Sequence, residues 1–280
     1  MNELTIHGNV IRLYPDPGAS VPLDGLYLYS GLREFTTAGP LVYTNFIASI
    51  DGRIALTNTE GQHHLPNTIA NARDWRLFQE LAALADVVIT SARHLRNIAQ
   101  GKPHNGLPVS VEPAYQDLLA FRRERGLSPQ PALAIVSASL DIPLDTLPAP
   151  SQREVVIITG AGSDAQRQRT LTAAGYRLIT VGDDERVDGA QLVAALTALN
   201  YRVMYSFGGP QICYSLLASG QLHRLYLTSA LRLLGGTAFD TLLWGPVCAT
   251  PRNLELRSLY LDPAGLDGVG QTFAQYVVQS

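Results

Sequence analysis

Two short segments carry residue types whose spacing could do chemistry. The first is Tyr205-Ser206-Phe207-Gly208-Gly209-Pro210-Gln211-Ile212, where a β-rich run meets two glycines and then a proline able to open a helix. Glycines at such a junction let backbone N–H groups approach an anion closely, and the N-terminus of the following helix adds unpaired donors and a favourable dipole. Gly208, Gly209, Pro210, Gln211 and Ile212 are therefore candidate holders of a pyrophosphate. The same pair of glycines would also serve a plain strand-to-helix turn, so a second signal is needed. It comes from Asn45-Phe46-Ile47-Ala48-Ser49-Ile50-Asp51-Gly52-Arg53. Ala48 and Ser49 leave room for a flat ring, and their backbone groups can hydrogen-bond a carboxamide. Asp51, the one acid in this segment, could relay a proton or stabilise an Asp-Gly turn.

Three further clusters invite a functional reading. Arg93, His94 and Arg96 follow a predicted strand, where a cleft is expected, and could meet a phosphate or carboxylate; a solvated loop is the other reading. His63 and His64 are adjacent, so on a strand they point to opposite sides, and no third ligand is near in sequence. A metal is not expected there, and His64 is read as lining a pocket. Asp74-Trp75-Arg76 stands near a helix start and is expected to cap and pack it.

The elements that must position these residues alternate along the chain. Leu41 to Ser49 is β-rich and closes on Asp51-Gly52, which predicts a buried strand. Leu77, Leu81 and Leu84 put an apolar stripe on a helix over Asn67 to Leu84, and Asp86 to Thr90 follows as a strand. After a polar stretch, 97–112, come a helix (Glu112 to Glu124) and a strand (Ala132 to Ser137). Strands Glu154–Thr159, Tyr176–Val181 and Arg202–Phe207 then alternate with helices Asp164–Ala174, Gly189–Leu199 and Pro210–Ser219. Such alternation predicts an α/β fold with a mainly parallel sheet covered on both faces. Strands His223–Thr228, Leu254–Leu261 and Gln271–Val278 lack helices between the last two, which are expected as antiparallel additions at one edge. Residues 1–40, rich in Pro and Gly, are expected as an arm packed on a main domain of residues 41–280.

Composition limits the partners. The 280 residues, 46% hydrophobic, can bury a real core, and 21 basic against 24 acidic side chains show no broad footprint for nucleic acid or an anionic membrane. A small molecule is the expected partner. Two cysteines, Cys213 and Cys248, neither form a disulfide framework nor show zinc spacing. With no leader-like start and no run of about eighteen apolar residues, a cytoplasmic location is expected.

In order and spacing, NFIASIDGRIA, ADVVITSA, AIVSASLDIP, the Gly-Gly-Pro junction and SLLASGQLHRLYLTSALRLLGG resemble the reductase domain of the bifunctional riboflavin-biosynthesis deaminase/reductase family. The likeness covers roughly residues 41 to 278. It implies a dihydrofolate-reductase-like three-layer fold, NADPH as cofactor, a homodimer, and activity similar to 5-amino-6-(5-phosphoribosylamino)uracil reductase on a pyrimidine-like or other heterocyclic or sugar-imine substrate. By the same likeness Ala48 would sit on the nicotinamide side, Ser137 and Thr159 near the adenosine half, and Gly208 to Ser215 along the pyrophosphate. Asn45, His64, Arg93, His94, Arg96 and Phe207 are the candidate substrate contacts. No GxGxxG follows an early strand, so a Rossmann dehydrogenase explains less. The family's zinc-deaminase motifs, HxE and PCxxC, are absent, so deamination is not expected. Ala82 stands where the family carries an arginine, Arg93 to Asn97 replaces its DDPxLTxR-like stretch, and Phe207 replaces a glutamate. These departures leave two alternatives open: a catalytically silent nucleotide-binding module, and a reductase that uses a flavin or deazaflavin.

Overall fold

Alternation within the strands decides which face each covers. In Val87-Val88-Ile89, Val88 joins one apolar cluster while Val87 and Ile89 join the other. The computed structural model describes residues 6–57, 61, 63–99, 107–184 and 186–279. In chain order these form β1 (Asn9–Tyr14), β2 (Ser20–Pro22), β3 (Leu41–Ser49), β4 (Ala55–Thr57), β5 (His63–His64), α1 (Ala72–Leu84), β6 (Val87–Ser91), α2 (Ala92–Ala99), α3 (Gln116–Glu124), β7 (Ala132–Val136) and β8 (Val155–Gly160). There follow α4 (Ala165–Ala173), β9 (Arg177–Val181), α5 (Gly189–Ala198), β10 (Val203–Ser206), α6 (Pro210–Ala218), β11 (Arg224–Ala230), β12 (Phe239–Asp240), β13 (Leu254–Asp262) and β14 (Gln271–Val278).

One sheet runs in the order β2-β1-β13-β14-β11-β3-β10-β6-β7-β8-β9. From β11 to β9 neighbouring strands are parallel, and from β11 back to β2 they are antiparallel. This is the mainly parallel α/β sheet with antiparallel C-terminal strands that the alternation predicts. On one face Leu77, Leu81 and Leu84 of α1, Leu95 of α2, Leu118 of α3 and Leu171 of α4 pack on Tyr43, Val88, Ile135 and Tyr205. On the other, Leu192 and Leu196 of α5 and Cys213 and Leu216 of α6 pack on Val42, Ile89, Ala134 and Met204.

Several expectations are corrected. Asn9–Tyr14 and Ser20–Pro22, within the segment expected as an arm packed on the domain, join the sheet itself: β1 pairs with β13, and β2 pairs with β1. β13 and β14 are therefore interior strands, because the N-terminal hairpin covers the edge they would otherwise expose. The first helix starts at Ala72 rather than Asn67, since the Asn71 side chain caps it by accepting from the N–H groups of Arg73 and Asp74. The segment of Arg93, His94 and Arg96 is not a loop but the eight-residue helix α2. Within the polar stretch 97–112, residues 100–106 lie outside the described residues. A small sheet, β12-β4-β5, was not foreseen.

The feature that creates a site is a divergence of two strands. β3 pairs with β10 only from Leu41 to Thr44, then continues beside β11 as far as Ser49. At the same point Phe207 leaves β3 and donates its N–H to Ile89 of β6 at 2.9 Å. Backbone of Asn45 to Ile47 is thus freed on one side, at the carboxyl ends of parallel strands where α/β sheets bind ligands.

Candidate functional site

A cleft of about 1510 Å³ opens at this divergence. That exceeds the roughly 300–1,000 Å³ usual for one drug-sized ligand, so there is room for two molecules side by side. The cleft straddles the sheet edge. Its α1/α2 side is walled by Asp74, Trp75, Phe78, His94 and Phe207, and its α5/α6 side by Gly182, Asp184, Arg186, Gln191, Gly209 to Ile212 and Tyr214.

On the α5/α6 side two helix N-termini meet the cleft, and they differ. The α5 terminus is closed by its own capping box, in which Asp188 accepts from the Gln191 N–H at 2.8 Å. The α6 terminus has Gly209 at its N-cap, Pro210 in its first turn and no side-chain cap. The N–H groups of Gln211 and Ile212 thus have no partner within the helix. Gly209 has φ +89° and ψ −178°, a region essentially reserved for glycine, and a Cβ built there would meet nothing within 4 Å. The junction is therefore open toward the cleft and electropositive. A Cβ at Gly208 would instead meet the Ile212 side chain at 2.4 Å, so that glycine serves the local packing of the turn.

The opposite wall is aromatic. Trp75 stacks on Phe78 at 4.7 Å between centroids, Phe78 meets Phe207 edge-on at 5.3 Å, and His94 meets Phe207 at 5.2 Å. Burial pushes the His94 imidazole down to about 4, and its Nε2 is shut from solvent without a hydrogen-bond partner among the described residues. It is neutral at pH 7. Arg96 is held by Asp141, whose backbone carbonyl accepts from it at 2.6 Å. Of the two arginines expected to meet an anion, Arg93 has no ion pair or hydrogen bond within the described residues. Arg186, on the cofactor-like side, is equally unpaired there.

Asp74 was expected to cap and pack the helix, but Asn71 supplies the cap and Asp74 is a buried wall of the cleft. Burial raises its carboxyl to about 6, against a smaller lowering by the Thr228 hydroxyl. Asp51 is the reverse. Its carboxylate accepts from the Ser49 hydroxyl, from Gly235 N–H at 2.7 Å and from Leu234 N–H at 3.2 Å. The Ser49 hydrogen bond first, and Gly235 second, hold it down at about 2. Of the two roles open to Asp51, these contacts favour the turn: the carboxylate is a clasp that ties the β3 turn to residues 234–235.

The cleft brings together Asn45, His64, Arg93, His94, Arg96, Ser137, Phe207, Gly208, Gly209, Pro210, Gln211 and Ile212. It does not bring in four others. Ala48 is buried beside Ser229 of β11, Ser49 is engaged in the turn, Asp51 forms its clasp, and Thr159 is fully buried inside β8. Ala82, read as a lost substrate group, is fully buried on the core face of α1 and does not line the cleft. His63 also borders the cleft, 2.9 Å from Asp240. Sequence reasoning gave Asp74 and Trp75 only a capping and packing role and missed Phe78 and Arg186 altogether. The available signal was Asn71, a better cap than Asp74, which frees the acid for another role. No group of three or more His, Cys, Asp or Glu among the described residues could hold a metal, and none of their helices is long and apolar enough to cross a membrane.

Fold and cleft together define a layered α/β protein with helices on both faces of a mainly parallel sheet and a ligand-sized cleft at its strand ends. A profile of the RibD C-terminal domain matches residues 40–266, and the chain belongs to that family. A pyrimidine reductase-like protein of Corynebacterium diphtheriae is 22% identical over 90% of this chain and 97% of its own, with a TM-score of 0.69. Acinetobacter baumannii RibD is 15% identical over 89% of this chain, with a TM-score of 0.60, and this chain spans 60% of its length. The riboflavin biosynthesis reductase Rib7 of Saccharomyces cerevisiae is 14% identical over 86% of this chain and 90% of its own, with a TM-score of 0.50. No curated protein matches the sequence at a significant level.

Proposed function

We propose that this chain is an NADPH-dependent reductase of a pyrimidine-like or other flat heterocyclic or sugar-imine substrate, similar to the reductases of riboflavin biosynthesis. The observation that carries the reading is the two-sided cleft, with an uncapped, glycine-headed helix on one side of the sheet and an aromatic wall on the other. The residues fit a dinucleotide. Gly209, Gln211 and Ile212 would hold its pyrophosphate, the freed backbone of Asn45 to Ile47 its carboxamide, and Ser137 with Arg186 the adenosine end. Bound there, the cofactor supplies hydride. The protein's own work is orientation and exclusion of water: Trp75, Phe78 and Phe207 stack a flat acceptor, and Arg93 meets any anionic substituent. A cytoplasmic location accompanies this reading.

Arg186 is the cation placed to favour a 2′-phosphate, which carries a charge of about −1.5 to −2 at pH 7. A thermal-shift panel tests the assignment. NADPH should raise the melting temperature more than NADH, and flavin and deazaflavin should leave it unchanged, because only a ligand of the folded state stabilises it. In Arg186→Gln the NADPH shift should fall to that of NADH. No shift with millimolar NADPH would sink the cofactor assignment, and a shift with NADPH but no turnover of any pyrimidine would favour a silent nucleotide-binding module.

A homodimer is part of the proposal. The face of the antiparallel strands opposite Tyr226, Tyr260 and Phe273 carries Leu227, Leu259, Leu261, Ile11 and Tyr14. Ile11 is 36% exposed and Tyr14 47%. A two-fold partner would cover this apolar surface. Light scattering at micromolar concentration should give twice the 30.3 kDa chain mass, and Leu227→Glu with Leu259→Glu should give the monomer. A parent that is already monomeric would overturn it.

A further inference from the structure

We infer that Tyr205 is a positioning residue: its buried phenol holds the Asn45 side chain with the amide N–H pair turned into the aromatic half of the cleft, which selects a flat ring that presents a hydrogen-bond acceptor at that point. The inference rests on that half being the substrate side of the proposed reductase. It assigns a role to a tyrosine that no motif in the sequence marks.

Strand register brings the two residues together. Tyr205 of β10 lies opposite Tyr43 of β3, and Asn45 follows Tyr43 by two residues, on the same face of the sheet. A diagonal neighbour of this kind is within reach of a long side chain. The phenol itself is held by rings: Tyr205 stacks on Tyr43 at 5.1 Å between centroids and meets Phe78 and Phe207 at 5.7 Å each. It is fully buried. On the other flank, Tyr226 of β11 lies opposite Asn45. Because β10 pairs with β3 no further than Thr44, Asn45 stands at the first position where the two strands have parted, and it lines the cleft.

Hydrogen-bonding capacity then sets the direction of the amide. The Tyr205 phenol donates to Asn45 Oδ1, its one hydrogen bond among the described residues. Burial first, and then the neighbouring Tyr43 and Asp74, push this phenol well above its usual range, so it keeps its proton and must place it on an acceptor. The amide oxygen is that acceptor. Were the amide turned over, the phenol proton would be left buried and unsatisfied, which is the costly arrangement. With Oδ1 committed to Tyr205, Asn45 Nδ2 carries two N–H bonds and no partner among the described residues. The rings of Phe78 and Phe207 beside it have no oxygen or nitrogen to accept them, so a ligand in the cleft is the group that can.

The test uses two planar bicyclic probes and needs no turnover. Chromone offers a carbonyl acceptor and no donor, whereas indole offers an N–H donor and no comparable acceptor. Titration calorimetry on the parent should give chromone the lower Kd. Tyr205→Phe keeps the ring stack and frees the amide to turn. In that variant the ratio of the indole Kd to the chromone Kd should fall about threefold to tenfold, the range of one net hydrogen bond, with the NADPH Kd within about twofold of the parent's. Asn45→Asp, which puts an acceptor where the N–H pair stood, should reverse the preference. A merely structural tyrosine would weaken both probes together and leave their ratio unchanged in Tyr205→Phe. That result, a parent that prefers indole, or an unreversed preference in Asn45→Asp would overturn the inference. If the ratio responds in both variants but the parent does not bind NADPH, the positioning role stands and the reductase reading falls.

Discussion

Arg73→Met should destabilise the protein by about 3–5 kcal/mol, the usual cost of leaving a buried charge without its partner. Arg73 Nε bonds Asp262 Oδ2 at 2.7 Å, and the Asp262 side chain is fully buried while that of Arg73 is 7% exposed. Gln271 Nε2 also reaches Asp262 at 2.9 Å, and Gln271 in turn bonds Asn71, the cap of α1. The pair therefore fixes the end of α1 that presents Asp74 and Trp75 to the cleft. Removing the arginine strands a carboxylate in the core. Replacing both partners by Arg73→Met and Asp262→Leu should restore much of the loss, because the desolvation cost of both charges disappears together. Chemical denaturation of the parent, the single variant and the double variant checks this. A single-variant loss below about 1 kcal/mol would mean that the pair contributes no more than a surface ion pair does.

The second large effect is on cofactor affinity. Gly209→Val should raise the NADPH Kd at least about 100-fold, or roughly 2.7 kcal/mol, since its side chain would occupy the open space at the head of α6 where backbone donors must reach a phosphate. Because φ at Gly209 is +89°, the variant should also lose roughly 1–3 kcal/mol of stability from backbone strain alone. Calorimetric titration and circular dichroism on the same sample separate the two. Gly209→Ala shares the strain with a smaller side chain and should lose less affinity for a similar loss of stability. A folded Gly209→Val protein with the parent's NADPH affinity would show that the glycine serves only the turn.

How the residues of α1 fare shows where sequence patterns stop. Leu77, Leu81 and Leu84 announce a helix with one apolar face, because burial of that stripe is a local, periodic requirement. The same periodicity is silent on Asp74. Whether an acid in a first turn caps, solvates or is buried depends on what β11 and β10 bring beside it, and those strands lie more than a hundred residues away. α2 escaped for a related reason: Arg93, His94 and Arg96 look solvent-bound, yet Leu95 and Ala92 anchor one face in the core. The N-terminal hairpin was hidden by its Pro and Gly content, which is compatible with an edge strand as well as with an arm.

By itself the sequence determined the α/β class, the alternation of parallel strands with helices, the antiparallel finish and the glycine junction at Gly208-Gly209, since each rests on local periodicity, turn chemistry or a short motif. Only the tertiary structure decided which charges act. It ionised Asp51 by folding residues 234–235 onto it, kept Asp74 protonatable by closing β11 and the N-terminal segment over it, neutralised His94 by burial, and left Arg93 and Arg186 without an ion pair among the described residues. The physical reason is that a backbone preference is set by neighbours in sequence, whereas the protonation and reach of a side chain are set by desolvation and partners that only the packed sheet brings together.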